Sequence, residues 1–519
     1  MQKDPFSRRR FLAGVGQGTL IATIGPALAL ELGLAPRTLA AENPGSLDFG
    51  ELEPLVRYLQ ETPVDKLQAG LAEKLRSGTP LKRLISAGAL ANARTFGGED
   101  YVGFHTFMAL APALHMASLL PAKEQALPVF KVLYRNTNRI GENGGRSAEV
   151  LHSVSSLPSA EPVTVERLVA AVRAKDETEA ERLFASLTDG GAAAALDVLL
   201  HAVQENLEVH RTVLPYRAWE MIDLVGEEYA SSLLRQSLHY CLDAERSRQP
   251  AWEAHGKVLT SLLDEHHLLG REPGDRKSED GFVEELSDTI FKGTPEVAAG
   301  AVAAALAEGF RPSDIGEAIS LATNQVVLRD PGRIPAWEFP GKLVGSVHGD
   351  SVGVHASDSA NAWRNLARVS KGRNAYACLI LGAWQAARDR GARSGLLEAE
   401  PVPTKRQIGT ITETEQSKLI GQLEDAVRAK LQSQAAAVVH QYGQLNLPEG
   451  PVFNTLLRFG VSEDGSLHAE KYFHTVWDDF HSTRAAFRWR HLTALARVTA
   501  SEYGYPAPGQ EEARSLLGV

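Results

Sequence analysis

The chain has 519 residues, enough for two or three units of the usual domain size, and its 44% hydrophobic and 23% charged residues are typical of a globular protein. The net charge of -10, without a run of Lys and Arg after the first 40 residues, argues against nucleic acid or anionic membranes as partners.

Several cofactor sites are excluded by the sequence. The chain has only two cysteines, Cys241 and Cys378, which excludes a four-thiolate iron–sulfur cluster, and it has no C-x-x-C-H motif, which excludes c-type haem. The glycine-rich run 14–18 has no strand before it and no acidic residue at the required offset, so no Rossmann dinucleotide site is predicted.

The N-terminus is basic and is followed by an uncharged stretch over 11–30. The run Ser7-Arg8-Arg9-Arg10-Phe11-Leu12 closely resembles the twin-arginine export signal S-R-R-x-F-L in spacing and position. Residues 1–40 are therefore predicted to be a signal peptide, with cleavage near Ala40 or, alternatively, retention as an anchor. The resemblance implies the twin-arginine translocase as a partner, a periplasmic location, and export of an already folded chain that often carries a cofactor.

Beyond residue 50, apolar residues recur at spacings of three and four, which is typical of amphipathic helices. Gly78-Thr79-Pro80 and Gly293-Thr294-Pro295 predict helix starts, and the proline-containing stretches 330–341 and 399–410 predict long loops. The sequence predicts an all-α array of helical hairpins. An N-terminal half over 41–280 and a C-terminal half over 281–519 are expected, and the two could also form one compact unit.

Two parts of this pattern resemble each other. Residues 75–90 align with 306–321, and Val102-Gly103-Phe104-His105 is echoed by Val352-Gly353-Val354-His355. Either the chain contains an internal duplication, or unrelated hairpins share a glycine stop and an apolar stripe by chance.

The segment 346–358 contains two histidines and two aspartates. If a helix begins near Ser351, then His355 and Asp358 share one face at i, i+3 while His348 approaches from the preceding loop. Imidazole and carboxylate at this spacing suit Zn, Mn or non-haem Fe. The alternative is that Asp350 caps the helix and the histidines are packing residues.

Histidines in other helices could join this site. Helical hairpins can direct His105, His210, His355 and His474 to one central pocket, as helix bundles do in metal sites. The chain has no H-E-x-x-H and no repeated E-x-x-H motif, so neither a metalloprotease nor a ferritin-like di-iron site is predicted. The predicted metal ligands are His105, His210, His348, His355, Asp358 and His474.

Two other patterns indicate different chemistry. Gly349-Asp350-Ser351-Val352-Gly353 matches the G-x-S-x-G nucleophile turn, although the chain lacks the alternating strands and helices that this turn requires. Trp363, Arg364 and Trp477 could contact a planar substrate, since both side-chain types stack, or they could be core aromatics with an extended arginine.

Three histidines precede long apolar helices, in His105-Thr-Phe-Met-Ala-Leu, His210-Arg-Thr-Val-Leu and His355-Ala-Ser-Asp-Ser-Ala. This order of histidines and helices resembles that of questin oxidase-like proteins over about residues 60–490. That resemblance implies a helical, oxidative protein and assigns no residue. The glycine-turn hairpins are also similar to carboxymuconolactone decarboxylase-like units, but the catalytic cysteines of the peroxidase branch are missing.

The leading hypothesis is an exported all-α oxidoreductase with a histidine-lined pocket that binds a transition metal (Fe, Mn or Zn). One alternative is a non-catalytic periplasmic protein that binds a small acidic or aromatic ligand. Another is a serine hydrolase that uses Ser351.

Overall fold

The computed structural model describes residues 45–158 and 163–519, and all regular secondary structure in these two ranges is helical. Apart from the helices, these ranges contain four isolated β-bridges. The all-α prediction is confirmed. The predicted export signal, with Ser7, Arg8, Arg9, Phe11 and Leu12, lies outside the described residues.

The α-helices of the first part of the described chain are α1 (Glu53–Glu61), α2 (Val64–Arg76), α3 (Leu81–Phe96), α4 (Tyr101–Leu119), α5 (Ala126–Glu142), α6 (Val165–Ala174), α7 (Glu177–Thr188), α8 (Ala192–Val203), α9 (Val209–Val225), α10 (Ala230–Ala244) and α11 (Glu253–Glu265). Those of the second part are α12 (Asp280–Lys292), α13 (Pro295–Ala307), α14 (Pro312–Arg329), α15 (Val352–Val369), α16 (Gly372–Gly391), α17 (Lys405–Ile408), α18 (Gln416–Arg428), α19 (Gln432–Gln444), α20 (Gly450–Ser462), α21 (His468–Ser482), α22 (Trp489–Glu502) and α23 (Gln510–Leu517).

Residues Phe49–Leu151 and Ser156–Val519 form one compact unit, so helices of both predicted halves belong to the same body. Of the other unit, the structure describes only residues 45–48 and 152–155. Ser46 and His152 form an isolated β-bridge between these two segments.

Four helices at the centre of the large unit pack against one another. Helix α4 contacts α9 and α21, and α15 contacts the same two helices. By length and composition α4 could cross a membrane, but two thirds of its most apolar window (67%) is buried inside the protein. The burial identifies α4 as a core helix of this unit, and it holds one of the predicted metal ligands, His105.

The glycines of the two similar segments have the same packing role. Gly103 and Gly353 each lie two residues before a histidine, near the start of α4 and α15. A Cβ atom would lie 2.6 Å from the Phe96 ring at the first position and 2.7 Å from the Val327 backbone at the second. Each glycine therefore lets its helix approach the preceding helix closely.

The local predictions have mixed outcomes. Thr294 caps α13 with Pro295 as its first residue, as predicted, whereas α3 begins at Leu81 with Pro80 in the N-cap position. The stretch 330–341 contains only a short 3-10 turn, as expected for a loop. The prediction of a loop over 399–410 is partly wrong, because Thr404 and Gln407 form a capping box that starts the short helix α17.

Candidate metal centre

Four histidines from near the N-termini of four helices meet at one place. His105 is the fifth residue of α4, His210 the second of α9, His355 the fourth of α15 and His468 the first of α21. The ring centroids of neighbouring members are 4.7–5.7 Å apart and close a circuit in the order His105, His210, His355, His468. These four residues are called the histidine cluster below.

Capping residues determine where three of these helices begin. The Asp100 carboxylate accepts from the Gly103 amide at 2.7 Å, and the Glu208 carboxylate accepts from the His210 amide at 2.9 Å. Ser351 Oγ accepts a longer bond of 3.5 Å from the Val354 amide. These caps place three helix starts near the cluster, and α21 begins at His468 itself, so the partial positive charge of four helix N-termini lies close to it.

The inner ring nitrogens of the cluster approach in pairs. His105 Nε2 lies 3.1 Å from His210 Nε2, and His355 Nε2 lies 3.2 Å from His468 Nε2. His105, His210 and His468 are buried, with at most 8% of each residue exposed. The cluster therefore offers four imidazole nitrogens in a largely enclosed space.

The outer ring nitrogens of three members, His105, His210 and His468, have oxygen partners. His105 Nδ1 donates to the Tyr101 carbonyl at 2.7 Å, and His468 Nδ1 donates to the Ser466 carbonyl at 3.1 Å. His210 Nδ1 lies 2.7 Å from the Glu208 carboxylate, which also accepts from the Tyr240 hydroxyl at 2.7 Å. Since a carbonyl at Nδ1 requires the proton there, a neutral His105 or His468 has a lone pair at Nε2, as metal-binding histidines do.

Burial favours neutral histidines in the cluster. The pKa values of His105 and His468 are held well below the usual range by burial and by the nearby Lys471 ammonium. Burial lowers the pKa of His355 to about 3. Neutral imidazole is the form that binds a metal ion, so these rings need not lose a proton first.

A buried lysine lies beside the cluster. Lys471 is one turn after His468 on α21, and burial lowers its pKa to about 8. Within the described part of the chain, its Nζ atom has neither a hydrogen bond nor an ion pair. Asp358, one turn after His355, is also buried and accepts a hydrogen bond from Thr475 Oγ1 at 2.8 Å. The prediction that Asp358 faces the same ligand as His355 is not supported by this contact.

The loop before α15 covers another side of the cluster. Asp350 is paired with Arg333 and, at 2.6 Å, with Lys342. His348 Nδ1 lies 3.3 Å from Asp350 Oδ1, so this predicted ligand belongs to an outer layer of charged contacts. The capping alternative for Asp350 is wrong, because Ser351 is the N-cap of α15.

Of the six predicted ligands, His105, His210 and His355 converge, but the fourth histidine is His468 and not His474. Six residues on a helix correspond to a rotation of about 240° and a rise of about 9 Å, which takes His474 to a different face and level of α21. The sequence analysis did not identify His468. All four members share one feature that could have identified it, since each lies within the first five residues of its helix. Leu467 before His468, with φ 65°, gives the start of α21 no recognisable capping motif.

His474 belongs to a second group, with His115 and Glu220. Its Nδ1 lies 2.9 Å from His115 Nδ1, and its Nε2 lies 3.1 Å from Glu220 Oε1. Trp477, a predicted substrate residue, has its ring 5.3 Å from that of His115. These three residues, His115, Glu220 and His474, are called the second cluster.

The other predicted substrate residues are parts of the core. Trp363 is 1% exposed and donates from Nε1 to Gln385 Oε1 at 2.8 Å. Arg364 forms ion pairs with Asp478 at 2.6 Å and Asp479 at 3.0 Å. The core interpretation of Trp363 and Arg364 fits these contacts better than contact with a ligand does.

One further group could hold a metal by distance alone, namely Glu177, Glu181 and His239, whose ligand atoms lie within 4.8 Å of one another. His239 lies between Glu99 and Glu181, with 2.9 Å from a ring nitrogen to each carboxylate. Although burial opposes the charge, these two carboxylates raise the pKa of His239 to about 9. Because each ring nitrogen faces a carboxylate, the contacts fit an ion-pair network around a protonated imidazole.

Comparisons with known proteins add no assignment to this geometry. The resemblance to questin oxidase-like proteins therefore remains an expectation from the sequence. No protein-family model, no curated protein and no solved structure matches the chain.

Proposed function

We propose that the histidine cluster binds a transition metal ion and that the protein is an exported, metal-dependent oxidoreductase. The observation that carries the proposal is the pairing of His105 Nε2 with His210 Nε2 at 3.1 Å while both outer nitrogens have oxygen partners. Two lone pairs at this distance repel each other unless a cation lies between them or beside them. Imidazole ligands suit Fe and Zn, and Mn is the third candidate.

The charges around the cluster favour a metal that carries an anionic ligand. Glu208 and Asp350 provide negative charge near the cluster, whereas Lys471 and the four helix starts provide positive charge. A bound dication would lower the pKa of Lys471 further, because like charges disfavour each other. The chain therefore supplies both neutral ligands for the metal and a positive environment for an anion bound to it.

Tyr101 lies on a solvent-facing side of the cluster, which we propose as the side where the substrate approaches. This residue is 61% exposed, and its ring centroid lies 4.4 Å from that of His105. A redox-active metal bound here would supply electron transfer to or from a small molecule. The chain's own part is to hold the ligands, to exclude bulk water from His105 and His468, and to admit the substrate on the Tyr101 side.

Metal analysis of the purified full-length protein tests the metal site. We expect about one metal ion per chain, loss of the metal in the double variant His355→Gln/His468→Gln, and retention in His474→Gln. His474→Gln is the matched control because it removes a histidine from the same helix. A metal-free wild type, or equal metal content in the two variants with folding verified by circular dichroism, would contradict the proposal.

The redox part is tested separately by spectroscopy of the metal-loaded protein. We expect the absorption or electron paramagnetic resonance spectrum to change reversibly upon reduction with dithionite and reoxidation by air. A protein that binds only zinc, and whose spectrum does not change, would contradict the oxidoreductase assignment while leaving the metal site in place.

The proposed export route depends on Arg8 and Arg9. We expect the conservative double variant Arg8→Lys/Arg9→Lys to accumulate in the cytoplasm, because the resemblance is to a signal that requires the arginine pair. Arg10→Lys, at the variable position of S-R-R-x-F-L, is the matched control and should be exported normally. Cell fractionation measures the outcome, and export of the double variant at the wild-type level would refute the route.

A further inference from the structure

The second cluster lines a cavity that is separate from the histidine cluster. The cavity has a volume of about 560 Å³ and lies among α4, α9, α15 and α21. His115 and Glu220 each follow a member of the histidine cluster by ten residues on the same helix. Ten helical residues correspond to about 15 Å. A small molecule in this cavity therefore cannot be a ligand of a metal held by His105 and His210.

The carboxylate of Glu220 is the fixed end of a chain of hydrogen bonds. It accepts from the Tyr216 hydroxyl at 2.7 Å and from Arg217 Nη1 at 2.6 Å, and it contacts His474 Nε2 at 3.1 Å. Burial alone would raise the pKa of Glu220, but Arg217 and His474 hold it below its usual range. Glu220 is thus ionised, and His474 Nε2 must carry the proton that it shares with this carboxylate.

This arrangement determines the tautomer of His115. When His474 carries a single proton, Glu220 holds that proton at Nε2 and leaves Nδ1 as an acceptor, so the proton between the two Nδ1 atoms at 2.9 Å belongs to His115. His115 Nε2 is then a lone pair, and among the described residues it has no hydrogen-bond partner. Burial lowers the pKa of His115 to about 3, which keeps this ring neutral.

The remaining walls of the cavity are mainly apolar. Leu114, Trp219, Leu224 and Val369 line it, and the charged residues Asp223 and Arg368 are exposed at its rim. A volume of this size and a mainly apolar lining with few polar groups are typical of small-molecule sites. His115 is the polar group in the lining that has both a free acceptor atom and a supporting network behind it.

We propose that this cavity binds a small, weakly acidic molecule, an O–H or N–H acid on a flat apolar body, and that His115 Nε2 accepts its proton. As the O–H or N–H bond of the ligand breaks, an N–H bond forms at His115 Nε2, and the His115 Nδ1 proton moves to His474 Nδ1. The products are the ligand anion, a neutral His115 and a positively charged His474 beside the Glu220 carboxylate. No electron transfer or co-reactant is needed, since one proton moves and one charge pair forms.

The probe for this site is 4-nitrophenol, because its neutral and ionised forms have different absorption spectra. At a pH below the pKa of the free compound, we expect the bound compound to have the spectrum of the ionised form. In the variant His115→Gln the ionised fraction of the bound compound should fall by about tenfold or more, because the acceptor is lost. His481→Gln removes a neighbouring histidine outside this chain of hydrogen bonds and should behave as the wild type.

A second ligand keeps the test independent of variant folding. 4-Nitroanisole, the methyl ether, has the same flat body without the acidic proton and should bind to the wild type and to His115→Gln with similar affinity. A neutral spectrum of 4-nitrophenol bound to the wild type would overturn the proposal. So would loss of the ionised signal in His355→Gln, because the phenolate would then be bound at the histidine cluster.

Discussion

His105 and His210 bring their Nε2 atoms to 3.1 Å while the outer nitrogen of each ring faces an oxygen. In an ordinary histidine–histidine hydrogen bond one inner nitrogen donates and the other accepts, which here would require a second proton on one of the two rings. Glu208 is the only carboxylate that contacts either ring directly among the described residues. Its charge therefore stabilises any cation that the two rings share, whether a proton on His210 or a metal ion.

The variant Glu208→Gln should weaken metal binding by about 10–100-fold, the usual effect of removing the outer partner of a metal-binding histidine. Tyr240→Phe, which removes one hydrogen bond from Glu208, should have a smaller effect in the same direction. Competition with a coloured chelator measures both affinities. The control is Glu205→Gln, which removes a nearby carboxylate that pairs with Arg173 and Arg248 instead. Equal affinities in Glu208→Gln and Glu205→Gln would contradict this role of Glu208.

The contrast between His468 and His474 shows which features of the site can be predicted from the sequence and which cannot. Periodicity predicts the helix that contains both histidines. Periodicity does not determine how α21 is rotated and shifted against α4 and α15, which depends on packing between residues distant in sequence. His105 and His355 were recognisable because a glycine precedes each near a predicted helix start, whereas a left-handed Leu467 precedes His468.

Lys471 predicts an unusual dependence of stability on pH in the metal-free protein. Burial lowers the pKa of this lysine from 10.5 to about 8, so its charged form destabilises the fold below about pH 8. The penalty disappears as the pH rises through the interval from 8 to 10.5, where the folded protein has already lost the proton. At about 1.4 kcal/mol per pKa unit, the full effect is about 3 kcal/mol.

The variant Lys471→Met, which has a similar volume and no charge, should therefore be more stable than the wild type at about pH 7 and should lose this advantage near pH 10. Urea unfolding of chelator-treated protein at the two pH values measures the difference. If Lys471→Met were less stable than the wild type at both pH values by the same amount, the lysine would be an ordinary packing residue.

His239 has the opposite pH dependence. Its pKa is raised from 6.5 to about 9, so the stability that it contributes is fully present below about pH 6.5 and is lost as the pH rises through 9. Since Glu99 is partly exposed, we expect His239→Gln to destabilise the protein by about 2 kcal/mol at low pH and by much less near pH 10. Chemical unfolding at both pH values measures this. Added zinc should not change the difference, and stabilisation of the wild type alone by zinc would instead indicate a metal site with Glu177 and Glu181.

Gly349 predicts a steric effect on the histidine cluster that involves no change of charge. A Cβ atom at this position would lie 2.3 Å from the Cβ atom of His468, closer than any real contact, and the Gly349 amide donates to Glu502 at 2.9 Å. The variant Gly349→Ala must therefore displace His468 or the loop. We expect a loss of about 1–3 kcal/mol in stability, the usual range for overpacking, together with weaker metal binding. The control is Gly300→Ala in α13, where a Cβ has no atom within 4 Å and alanine favours the helix. Thermal unfolding and metal content measure both variants, and full metal content with unchanged stability in Gly349→Ala would show that the close approach of Gly349 to His468 is not required for the site.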